Sequence, residues 1–151
     1  MKFDFPIYTE MEENLKNATA LYIRYSAIEQ SKDANAIKVQ YDALKQYCAE
    51  NNVQNAVVFI DDNFMGADRK RPAFQTIMEQ LKSGRIKDVI IYSVDRISAI
   101  STGIINFLKD CEKFKFRFYI VKDKFNSRDR ETFNTILSAL ITFQSLSKTD
   151  D

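Results

Sequence analysis

The feature that most constrains this chain is a repeated alternation. A short apolar run is followed, again and again, by a segment whose apolar residues recur every three or four positions. The runs at 19–25, 55–60, 87–94 (KDVIIYSV) and 116–121 (FRFYIV) read as strands. After the first comes AIKVQYDALKQYCAEN, with Ile37, Tyr41, Leu44 and Cys48 at helical spacing. The next helical segment opens at Pro72, carries Phe74, Ile77, Met78 and Leu81 on one face, and can end at Gly84. A further one shows Ile104, Phe107, Leu108 and Cys111. Strands alternating with helices predict an α/β domain with a mainly parallel sheet. The last segment, ETFNTILSALITFQSLS, carries Phe133, Ile136, Leu137, Leu140, Ile141 and Phe143. That apolar surface is wider than one buried stripe needs, and it predicts self-association. Residues 1–17 are weakly patterned and are expected to form a flexible or partly helical extension ahead of a domain at 18–151.

A length of 151 residues suits one domain with one core. No apolar run approaches the roughly 20 residues of a membrane span, and the start MKFDFPIYTEMEENLKN lacks a signal-peptide layout. A cytoplasmic protein without a membrane partner is expected. The chain has no histidine, which excludes Ser-His-Asp catalysis, histidine-ligated metals and imidazole proton shuttles. Cys48 and Cys111 lie far apart within apolar helical patterns and read as buried structural thiols. Glycines at 66, 84 and 103 make neither a P-loop nor a dinucleotide fingerprint. No cofactor and no metal are expected, and any catalysis must run on Ser, Asp, Arg, Lys, Tyr or Gln. A net charge of +1 leaves a nucleic-acid partner open, because a local patch can sit inside a balanced total.

In parallel sheets, sites form beyond the carboxyl ends of the strands. Here those ends are polar. The first strand, ALYIRYS, closes on Arg24 and Ser26; the second ends at Asp61 and Asp62; the third ends at Asp95 and Arg96. Each has a plain reading: a snorkelling arginine and a helix or turn cap, a turn or Mg²⁺-binding Asp pair, a surface ion pair. Together they put one hydroxyl amid several arginines on one rim. That set fits phosphoryl transfer with serine as nucleophile, because guanidiniums offer fixed bidentate donors to the oxygens that gather charge in the transition state.

Four ordered stretches carry a family resemblance: IRYSAIEQS (23–31), IKVQYDALKQYC (37–48), DDNFMGADRKRPAFQ (61–75) and VDRIS (94–98). From about Ala20 to Leu146 the chain resembles the catalytic domain of the serine recombinases (resolvases, invertases and serine integrases). The resemblance implies a resolvase-like three-layer α/β fold, with a four- to five-stranded, mainly parallel sheet and helices on both faces. It implies Ser26 as a nucleophile that forms a 5′-phosphoserine link to double-stranded DNA, and Arg24, Arg71 and Arg96 as holders of the scissile phosphate. Gln30, Gln40, Asp62 and Asp95 would orient them, with Asp62 preferred over Asp61 for its spacing to Gly66. Partners implied are DNA, a homodimer and a synaptic tetramer. The chain stops where the family's long helix would continue toward a separate DNA-binding module, which is expected to lie outside it.

Departures from the family pattern keep an alternative open. Ala99 stands where a further arginine is usual, Gln144-Ser145 where a Glu-Arg pair is usual, Met65 for a serine and Lys70 for an aspartate. The alternative is a catalytically impaired homologue that binds DNA or partners; a more distant one is a flavodoxin- or receiver-like binding module.

Overall fold

The computed structural model describes residues 3–8, 15–32, 34–62 and 70–149, with the side chains of 30, 31 and 147–149 outside that description. The elements run β1 (Thr19–Tyr25), α1 (Ala27–Lys32), α2 (Ala36–Glu50), β2 (Ala56–Asp62), α3 (Pro72–Ser83), β3 (Asp88–Ile91), α4 (Val94–Ile97), α5 (Ser101–Phe114), β4 (Arg117–Ile120), β5 (Phe125–Asn126) and α6 (Arg130–Thr149). The sheet order is β2-β1-β3-β4-β5. All pairings are parallel except β4 with β5. The five-stranded, mainly parallel α/β sheet is the expected fold.

The chain leaves β1 toward β2 and then crosses back to β3, so the connections diverge between β1 and β3. That divergence opens a crevice at the carboxyl ends of these two strands. Alternation along β1 splits the core in two. Ala20 and Tyr22 belong to a larger cluster with residues of α3, α5 and α6, while Leu21 and Ile23 pack with Tyr41, Leu44 and Cys48 of α2. Both thiols are buried, and burial pushes each up to about 11, as structural cysteines should be.

Three local differences from the sequence reading have clear causes. The third strand stops at Ile91 rather than 94, because Val94–Ile97 turns into α4. The Val94 N–H is held there by the Asp123 carboxylate at 2.9 Å. The short helix α1 follows Ser26 directly. In the expected extension, residues 3–8 do not hang free and are not helical. Ile7 bridges Val58 in parallel on the outer edge of β2, Tyr8 stacks on Phe59, and Phe3 meets the Tyr41 ring edge-on. An exposed strand edge invites unwanted pairing, and the chain's own start covers this one. Residues 1, 2 and 9–14 lie outside the described residues.

Candidate active site

The site is built outward from the last residues of β1. Arg24 follows Tyr22 by two and therefore turns its side chain to the α3 and α5 side of the sheet. Gln40 of α2 grips the same residue from the other side. Its Oε1 accepts from the Arg24 backbone N–H at 3.3 Å, and its Nε2 donates to the Arg24 carbonyl at 2.9 Å. This completes the main-chain bonding of a strand end that has run past its neighbour β3, whose pairing with β1 ends at Ile91. Gln40 is buried although the residues beside it at 38 and 39 are exposed.

Three guanidiniums meet at α4. Arg24, Arg71 and Arg96 are exposed by only 3, 7 and 8%. Cations so far from water need dense hydrogen bonding. Arg71 donates to the carbonyls of Arg96 at 2.8 Å and Ile97 at 2.5 Å. Arg24 donates to the Asp95 carbonyl at 2.5 Å and, more weakly, to that of Arg96 at 3.4 Å. Arg96 turns back to the Arg24 carbonyl at 2.7 Å and the Asp95 carboxylate at 2.9 Å. Arg71 also lies 4.2 Å from the centre of the Phe74 ring. Burial, and then the neighbouring Arg96 charge, lower the Arg24 pKa. For Arg96 burial acts in the same direction but is outweighed by Asp95 and Glu29, so its pKa rises. Burial would raise Asp95, yet hydrogen bonds from Arg96 and Ser93 hold it at about 2.

Ser26 is buried and caps α1: its Oγ accepts from the Glu29 backbone N–H at 3.1 Å. The plain reading of this serine as a helix cap is therefore realised. The Glu29 carboxylate then reaches Arg96 at 2.7 Å and Arg24 at 3.9 Å. Glu29 escaped the sequence reading, although Ser26-x-x-Glu29 is a capping-box spacing that could have announced both α1 and this residue.

The acidic pair at the end of β2 divides by strand alternation. The Asp61 carboxylate accepts from the N–H groups of Ala73 at 2.8 Å and Phe74 at 3.0 Å, and from the Tyr22 hydroxyl at 2.6 Å. It thus anchors the first turn of α3 immediately after Arg71. Burial and the Asp61 carboxylate push the Tyr22 pKa up strongly. Asp62 is exposed and pairs across the register with Tyr25 on the α2 side. Burial, then Asp62, push the Tyr25 hydroxyl up to about 12. The spacing to Gly66 favours Asp62 as the orienting carboxylate, whereas the contact that holds the start of α3, just after Arg71, is made by Asp61.

Other candidates fall elsewhere. Gln30 lies in α1, with its side chain outside the described residues, as are Met65 and Gly66. Lys70 is exposed just before Arg71, and Ala99 is exposed in the bend between α4 and α5. That bend depends on Gly103, where a Cβ would overlap the Ser98 side chain. Gln144 of α6 donates to the Thr102 hydroxyl at 2.5 Å, and Ser145 is exposed. Two further arginines that could have supplied a cation, Arg128 and Arg130, sit at the other end of the sheet: Arg128 lines a cavity with Thr19, Asp88 and Arg117, and Arg130 pairs with Glu112.

Three buried guanidiniums converge on α4 at the carboxyl end of β1, and Ser26 follows that strand end two residues after Arg24. The chain is similar to several known proteins. The family model "Resolvase, N terminal domain" matches residues 19–149. The N-terminal catalytic domain of TP901-1 integrase is similar at 26% identity and a TM-score of 0.74, over 87% of this chain and 99% of that one. A resolvase family site-specific recombinase from Streptococcus pneumoniae shares the fold at 18% identity and a TM-score of 0.71, over 89% of this chain and 90% of that one. So does the C-terminal catalytic domain of ISC1926 TnpA, an IS607-like serine recombinase, at 17% identity and a TM-score of 0.57, over 69% of this chain and 68% of that one. A comparison with curated protein sequences gave no match. With the family model spanning most of its length, the chain belongs to the resolvase N-terminal domain family of serine recombinases.

Proposed function

We propose that the chain is the catalytic domain of a site-specific DNA recombinase that cuts and rejoins strands through Ser26. The observation that carries this reading is the convergence of Arg24, Arg71 and Arg96 on α4, next to the strand end that presents Ser26. In the proposed step the Ser26 Oγ bonds to the scissile phosphorus and the bond to the 3′ oxygen breaks. The proton given up by the serine is balanced by the one taken up at the departing 3′ hydroxyl. Rejoining reverses the exchange with a new 3′ end. One ester replaces another, so ATP is not consumed. The arginines stabilise the charge that develops on the phosphoryl oxygens, while Gln40 and Asp95 hold Arg24 and Arg96 in place.

Association is proposed through α6, as dimers that pair into a tetramer during exchange. Ile136, Leu137 and Leu140 pack against the core, whereas Ile141, Phe143 and Leu146 are left 39, 62 and 60% exposed on the same helix.

A second reading, a homologue with impaired cleavage, is favoured by one observation. The exposed Ala99 contributes no cation at the bend after α4, and Arg128 and Arg130 are at the far end of the sheet. A suicide-substrate assay with the parent, Ala99→Arg and Ser26→Ala proteins, together with any attached DNA-binding module and the native site, separates the two. A slow, Ser26-dependent adduct in the parent that Ala99→Arg accelerates by up to about 10²–10³ supports the recombinase reading. No adduct from either the parent or Ala99→Arg supports the impaired homologue.

A further inference from the structure

The geometry points to Glu29 as an internal stand-in for the DNA phosphate, an anionic gate that the backbone of the DNA must displace before Ser26 can be used. This rests on the proposed function for the identity of the incoming anion. Three observations converge on it. The Glu29 carboxylate contacts two of the guanidiniums proposed to hold the phosphate, Arg96 at 2.7 Å and Arg24 at 3.9 Å, with a different oxygen toward each. That two-oxygen bridge is what a phosphodiester would present to the same pair through its non-bridging oxygens. The same residue's backbone N–H also engages the Ser26 Oγ at 3.1 Å, so one residue occupies both the cations and the nucleophile. Finally, Glu29 and Arg96 line an open cavity of about 330 Å³ whose wall includes Lys32 and Lys122, leaving a route along which an anion can arrive beside them.

The sequence makes the arrangement a choice. In a capping box the glutamate three residues after the serine cap reaches back to the cap's own N–H. Here the carboxylate is directed to Arg96 instead. Arg24 and Arg71 direct donors to backbone carbonyls, whereas Glu29 is a side-chain anion about one-third exposed to solvent. Among the partners of these arginines it is thus one that can leave without unpairing the main chain. A ligand that must first displace an internal competitor binds more weakly in proportion to the fraction of open sites. Removing the charge at residue 29 should therefore tighten binding of the anion without adding a contact to it.

The test uses inorganic phosphate as probe, with chloride at matched ionic strength as control. The rise in Tm with phosphate concentration gives the apparent affinity of the 151-residue chain. Glu29→Gln is expected to bind phosphate roughly 5- to 30-fold more tightly than the parent, within the usual range of site coupling. Glu29→Asp, which keeps the charge but shortens the reach, should fall between them. Adding Arg96→Gln to Glu29→Gln should abolish the gain. Unchanged or weaker phosphate binding in Glu29→Gln would overturn the gate, as would a gain that survives loss of Arg96. On DNA, Glu29→Gln should lower the substrate concentration that gives half-maximal Ser26 adduct. Tighter phosphate binding without any adduct upholds the gate and overturns the recombinase reading, so the two fail separately.

Discussion

Three arginines at the carboxyl end of the sheet and three at its amino end are held in opposite ways. At the amino end, Arg117 makes a bidentate pair with Asp88 at 2.6 and 2.8 Å, Arg130 pairs with Glu112, and Arg128 lies over the Tyr119 ring. The side chains of Arg117 and Arg130 are about half exposed, so water screens both pairs. At the carboxyl end Arg24, Arg71 and Arg96 are buried and held largely by main-chain carbonyls, with Glu29 and Asp95 at the margin. The amino-end arrangement is that of an ordinary surface. The carboxyl-end arrangement is costly to bury and is organised around the single turn of α4. The residue type is the same, and the difference lies in what the fold puts opposite it.

The largest expected effect breaks this contrast at its centre. Arg71→Gln or Arg96→Gln should slow formation of the DNA adduct by about 10²–10³ at saturating DNA, the usual loss for one transition-state donor. A rate within twofold of the parent would remove that arginine from the site. Gln40→Ala comes next. It removes the side-chain acceptor of the Arg24 N–H and one of the two side-chain donors to the Arg24 carbonyl, leaving that carbonyl to Arg96, and should lower stability by about 1–3 kcal/mol in urea unfolding. A change below about 0.5 kcal/mol would mean that the clamp is dispensable and the strand end holds itself. The smallest effect belongs to the other end. Arg117→Gln should shift stability by no more than about 1 kcal/mol and leave the adduct rate unchanged. A large loss of rate there would erase the distinction between the two ends.

The same contrast explains what could be read in the sequence. Arg24 and Arg96 were legible because each follows a run that can only be a buried strand, so their charge stands out at its end. Arg71 was not legible in the strand ends, since it stands ahead of a helix and far from them in sequence; the resemblance to the serine recombinases is what named it. The choice between Asp61 and Asp62 was not legible. Neighbouring strand residues face opposite sides, and only the packing of α3 shows which side its N-terminus occupies. The helices α1 and α4 span six and four residues, too short for a periodic signal, and Val94 prolongs the apolar run of β3 into α4. The course of residues 3–8 depends on β2 being an edge, which is a property of strand order rather than of any local residue pattern.

The most direct measurement is peptide mapping of the protein trapped on a nicked or bulged DNA substrate after nuclease digestion. A nucleophilic Ser26 predicts a nucleotide mass joined through a 5′ phosphate to the peptide containing residue 26, lost in Ser26→Ala and reduced in Arg96→Gln. A nucleotide mass on another residue, or one that persists in Ser26→Ala, would contradict the proposal that the carboxyl end of β1 delivers the nucleophile.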